Sequence, residues 1–147
     1  MLRTRLATAA VAIPALVWLI FAAPIELFAG IIVAITAVGL GEFASMAFPG
    51  RARPQAYAVV SGLAFAGVVV LHRADAVSLV LVVSIVAGLL MALTSPDLEA
   101  GVRQVAHGFL AATYVGFLLP HTVNLRILPG GERWVFLVIA CSMAADT

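Results

Sequence analysis

The chain has 147 residues, 64% of them hydrophobic and only 10% charged, with a formal net charge of +1. A water-soluble domain is nearer half apolar and a quarter charged, and a fold this small has too much surface for its volume to hide the excess. The composition therefore excludes a soluble globular protein, and the near-neutral charge excludes a basic field for nucleic acid. What remains is an all-α, polytopic integral membrane bundle.

Two details of composition narrow the chemistry. All eight basic residues are arginine, so these residues offer no lysine for a Schiff base or a phosphate clamp. Cys141 is the single cysteine, which excludes an internal disulfide and any cysteine-pair metal motif. Within its apolar run it reads as inert packing.

The apolar runs predict membrane helices over about 6–23, 27–48, 57–71, 76–93, 102–119 and 134–147. Arg3 and Arg5 precede the first run, which could be a cleaved signal peptide. Its length, and the second run directly behind Pro24, fit an uncleaved first helix better. Pro14 inside it is tolerated where neighbouring helices satisfy the freed carbonyl. The second span carries Glu42 near its end, either snorkelling to the interface or facing the bundle interior; its position favours the interface.

Pro49-Gly50-Arg51-Ala52-Arg53-Pro54 reads as the clearest loop. In the third span, Ala58, Gly62 and Ala66 share a face and permit close helix contact. His72 to Asp75 form a polar turn before the fourth span. Ser95 or Asp97 is placed to cap the fifth. That span carries His107, Gly108, Tyr114 and Gly116, and the stretch from Pro120 through Asn124, Arg126 and Pro129 to Arg133 reads as a loop. Trp134 then stands at an interfacial position.

With the N-terminus in the cytoplasm, that side holds Arg3, Arg5, Arg51, Arg53 and Arg103; the opposite side holds Arg73, Arg126 and Arg133. The bias is small, but both arginine pairs fall inside. The expected location is the inner, cytoplasmic membrane.

Few polar groups lie within the spans. His107 has no second histidine or cysteine at ligand spacing, so an interior, hydrogen-bonded histidine is expected rather than a metal ligand. Tyr114 is expected to pack with its hydroxyl bonded to a neighbouring helix. His72 and His121 fall in loops. No glycine-rich phosphate loop, nucleophile elbow or Ser/His/Asp set is present.

Asp146 differs from these. The fourteen residues from Trp134 to Thr147 span about 21 Å as a helix, short of the roughly 20 residues a bilayer core needs. The sixth helix is thus expected to be truncated. Its carboxylate lies where a charge costs on the order of 3 kcal/mol. A helix-end carboxylate paired with an arginine is one reading; a role in a polar cavity is the other, and the favoured one.

Several segments together resemble the N-terminal part of the phosphatidate cytidylyltransferase, or CDP-diacylglycerol synthase, family. They are Met1 to Ala9, Ile13-Pro14, Gly41-Glu42-Phe43, Tyr114 to Leu119, and the apolar helix ending Ala145-Asp146-Thr147. The resemblance implies transfer of a cytidylyl group from CTP to phosphatidate, with Mg²⁺ as the metal and membrane lipid as surroundings. It makes Asp146 and Thr147 the start of the polar nucleotide and cation region, with the main metal-binding acids expected beyond Thr147. The family's diagnostic segment, rich in Ser, Lys and Asp, is not among these residues, so 1–147 reads as an N-terminal fragment, inactive alone. A homodimer is left open. The rival readings are a small polytopic transporter or channel subunit, disfavoured by the scarcity of mid-helix polar residues, and a non-catalytic membrane scaffold.

Overall fold

A computed structural model describes residues 2–95 and 97–145, with side chains from residue 12 onward. Among the described residues there is no strand. The helices are α1 (Leu2–Phe21), α2 (Ile25–Ala47), α3 (Ala52–Val70), α4 (Ala74–Leu93), α5 (Leu98–Leu110), α6 (His121–Ile127) and α7 (Gly131–Ala145). Between α5 and α6 the chain stays helical through wider, π-type turns over Ala111–Leu118. Among the described residues three helices, α2, α3 and α4, are long and apolar enough to cross a membrane. The expectation of an all-helical membrane protein is met; five full spans and a sixth are not established by length and composition.

The chain divides into two compact units, one of residues 1–30 and 122–147, the other of 31–121. In the first, α1 contacts α7, and the Phe21 and Phe136 rings meet at 6.0 Å between centroids. Ile20, Ala23, Phe28, Val123 and Val135 are buried. The buried positions of α7 are Gly131 and Val135, a stripe that Cys141 does not share, and Cys141 is exposed rather than packed inside.

The second unit is organised around α3, which contacts α4, α5 and the wide-turn segment. Leu40 and Ala44 of α2, and Phe48 just past its end, pack with Ala58 of α3 and Ala111 in one core cluster. The predicted small-residue face of α3 is where it makes its closest approach. A Cβ on Gly116 would collide with the backbone of Gly62, so the two chains touch main chain to main chain. The buried positions Ala112, Gly116 and Pro120 follow one another every fourth residue, which keeps one face on the partner helix as the turn widens.

Several boundaries differ from the sequence expectation: α1 begins at Leu2 and α7 at Gly131, four and three residues before the expected starts. α3 begins at Ala52, so Arg53 and Pro54 belong to its first turn and not to a loop. Proline is tolerated there because first-turn amides have no intrahelical partner anyway. α5 begins at Leu98, four residues before the predicted start, with Asp97 as its cap: the carboxylate accepts from the backbone N–H of Glu99 at 3.4 Å and of Ala100 at 3.2 Å. The stretch read as a loop after Pro120 contains α6, a helix held between Pro120 and the Pro129-Gly130 turn. Gly130 takes φ +70°, a left-handed conformation glycine adopts without strain.

Candidate functional site

Asp146 and Thr147, to which the family resemblance assigns the start of the nucleotide region, lie outside the described residues. The other three predicted polar positions are not interior. Glu42 is exposed on α2, and its backbone carbonyl accepts from the Ser45 hydroxyl at 2.7 Å. His107 is exposed because the inward face of α5 is taken by Gly101, Gln104 and Gly108. Its Nδ1 lies 2.7 Å from the Arg103 carbonyl, and its ring stands edge-on to Phe48 at 6.4 Å. Tyr114 is 65% exposed, since the wide turns aim Ala111, Ala112 and Gly116 inward instead. No hydrogen bond joins these three side chains to one another.

The tyrosine that bonds a neighbouring helix is Tyr57. Its hydroxyl donates to the Ser84 carbonyl of α4 at 2.9 Å. Two glycines make room for it. A Cβ on Gly88 would lie 2.7 Å from the Tyr57 hydroxyl oxygen, and one on Gly108 would lie 2.6 Å from ring carbon Cε1. Tyr57 is therefore a wedge where α3, α4 and α5 meet. Sequence alone could suggest it only through glycines on the two facing helices.

At the end of α3 nearest this wedge lies a cavity of about 290 Å³ of mixed character, in which Arg51, Arg53, Thr94, Ser95 and Gln104 stand beside Pro54 and Met91. Gln104 is 8% exposed, and its amide donates to the Ser95 hydroxyl at 3.2 Å. The ion pairs among the described residues join Arg73 to Asp75 and Arg103 to Glu99, leaving Arg51 and Arg53 without an acidic partner there. Arg73, by contrast, is gripped by both oxygens of Asp75 at 3.0 and 2.9 Å, which holds its guanidinium pKa above the ordinary value. A second cavity, apolar and about 500 Å³, lies between α3 and α4, with Ala56, Tyr57, Val60 and Ala64 on one wall and Leu79, Val80, Val83 and Ala87 on the other.

In the first unit the polar groups gather around α6. Arg126 donates to the Ala23 carbonyl at 3.2 Å and lays its guanidinium over the Phe28 ring, 5.1 Å from the centroid. Asn124 keeps a buried side-chain oxygen with no hydrogen-bond partner. Among the described residues, no three or more His, Cys, Asp or Glu side chains gather where they could hold a metal ion. The described residues therefore supply no ligand set to assign to the Mg²⁺ that the resemblance implies.

Comparison with known proteins gives one result. The model of the cytidylyltransferase family matches residues 3–147. No curated protein and no solved structure matches.

Proposed function

The chain belongs to the cytidylyltransferase family, and we propose on that footing that it serves as a phosphatidate cytidylyltransferase, converting CTP and phosphatidate to CDP-diacylglycerol and pyrophosphate. One observation carries the choice of acceptor: the family match falls on a chain with three helices long and apolar enough to cross a membrane. A protein embedded in lipid draws its acceptor from lipid, while the nucleotide comes from water.

In the transfer, a phosphate oxygen of the lipid attacks the α-phosphorus of CTP. A new P–O–P bond forms, the bond from the α-phosphorus to the bridging oxygen breaks, and pyrophosphate leaves with the bond electrons. Such a reaction needs positioning and charge stabilisation more than covalent help from the protein. Asp146 and Thr147 are assigned to the nucleotide side by family likeness.

The test uses membranes carrying the gene product, CTP labelled at the α-phosphate, and dispersed phosphatidate. Label is expected in an organic-extractable CDP-diacylglycerol, lost with EDTA and restored by Mg²⁺. Asp146→Asn is expected to lower transfer at least about tenfold, the order of effect seen when a supporting group of a metal site is lost. Label that stays water-soluble in the presence of phosphatidate refutes the reading.

A further inference from the structure

The two cavities of the second unit share one seam. On α3, Arg53, Tyr57, Val60 and Ala64 follow one another at spacings of four, three and four residues, which places them on one face. On α4, Thr94, Met91, Ala87, Val83 and Val80 make the facing stripe at the same helical spacing. The arginine-lined cavity sits where α3 starts and α4 ends, and the apolar groove lies further along the same two helices, with Tyr57 on its near wall. From Arg53 to Ala64 the seam is about 16 Å long at 1.5 Å per residue.

We infer that this seam holds one anionic glycerophospholipid, its phosphate in the Arg51/Arg53 cavity and an acyl chain along the α3–α4 groove. Charge decides the occupant. The two arginines lack an acidic partner among the described residues, the described lining of the cavity includes no acid, and the first turn of α3 adds its own positive end. Guanidinium groups suit a phosphate because they offer several donors to it in one plane. Ser95 and Gln104, already joined to each other, supply neutral donors beside them.

The groove below has the opposite character. Val60, Leu79 and Val83 are more than half exposed, at 66%, 65% and 56%, in an apolar trough that water would wet poorly and a hydrocarbon chain would fill. A polar head and an apolar tail in line along one helix pair match an amphiphile and no water-soluble anion. The arginine distribution puts this end of α3 on the cytoplasmic side, where anionic headgroups concentrate.

The inference rests on the proposed reaction only for its choice of probe, and binding is measured without CTP or divalent metal, so failure here leaves the transfer reaction untouched. The 147-residue chain is placed in phosphatidylcholine nanodiscs with phosphatidate bearing a photoreactive group in one acyl chain. Labelling is expected to concentrate on residues 56–64 and 79–87. Arg51→Gln with Arg53→Gln is expected to lower it about tenfold, whereas Arg73→Gln, whose partner is Asp75, leaves it unchanged. Val60→Trp, which fills the groove and spares the arginines, is expected to lower it as well. Unlabelled phosphatidate should compete and millimolar inorganic phosphate should not. Labelling spread evenly over the exposed apolar helices, labelling indifferent to the arginine pair, or displacement by inorganic phosphate as effective as by lipid would each overturn the inference.

Discussion

Helices α3 and α4 pack against each other in the same unit, yet the less apolar of the two is the more buried. In the membrane-length window of α3, 39% of residues are buried, against 17% in α4. α4 is rich in Val, Leu and Ile, and its buried positions are Ser84, Gly88 and Ala92. α3 carries Tyr57, Ser61, Gly62 and the alanines 58 and 66, and it turns these toward its neighbours. In a bilayer the tails are as apolar as leucine, so greasiness alone does not draw helices together. On α4 the small and polar residues mark the contacts and the large aliphatics face outward, while α3 adds Phe65 and Val69 to its buried small residues.

The comparison predicts a steep order of mutational effects. The largest belongs to Gly116→Leu. Its side chain would have to enter the space of the Gly62 backbone, where no rotamer can yield. A loss of about 3 kcal/mol is expected, at the upper end for overpacked sites, read as a large fall in thermal unfolding temperature in detergent. An unchanged transition would mean that α3 and the wide-turn segment do not touch as described.

Next come the glycines around Tyr57. Gly88→Ala is expected to cost about 1–2 kcal/mol, because its methyl would press on the Tyr57 hydroxyl. Tyr57→Phe alone loses one interhelical hydrogen bond, worth about 0.6 kcal/mol in membrane proteins. The double variant should lose less than the sum, since removing the hydroxyl relieves the clash. Gly108→Ala offers the control. Its methyl meets ring carbon Cε1, which phenylalanine retains, so Tyr57→Phe should bring no relief. Equal rescue of both glycine variants would break the wedge description.

This wedge also marks the limit of what the sequence tells. The spacing of Ala58, Gly62 and Ala66 announces a contact face because small residues in an apolar span have few other reasons to recur. The boundaries of α2 and α4 come out within two residues of 27–48 and 76–93 for a similar reason: apolar length is set by the bilayer. Tyr57 gives no such signal, since its role depends on glycines 31 and 51 positions away that meet only after folding. His107 and Tyr114 mislead for the complementary reason. Polarity in an apolar span suggests an interior position, but the face of α5 and the widened turns behind it are set by Gly101, Gln104, Gly108 and Gly116. Pro54 and Pro120 mislead as well, because a proline that ends one helix in sequence can equally begin another. The Arg51/Arg53 cavity is half legible: the arginines are plain as topology signals, but Ser95 and Gln104, which complete the lining, come from 42 to 53 residues further on.

The smallest expected effect tests the comparison from its other side. Leu89 is 56% exposed on α4, and a leucine inside a soluble core loses about 2–5 kcal/mol on truncation to alanine. That loss combines transfer of the side chain out of water with the cavity left behind. At Leu89 neither part applies: the side chain faces lipid whether the bundle is packed or separated, and lipid chains flow into whatever space it leaves. Leu89→Ala should therefore change stability by no more than about 0.5 kcal/mol, the ordinary range for surface positions, when unfolding is followed in lipid or detergent. The same truncation at Leu40 of α2, fully buried against Gly62, should cost several times as much although the two residues are chemically identical. A loss at Leu89 comparable to that at Leu40 would mean that a protein partner, and not lipid, covers that face of α4.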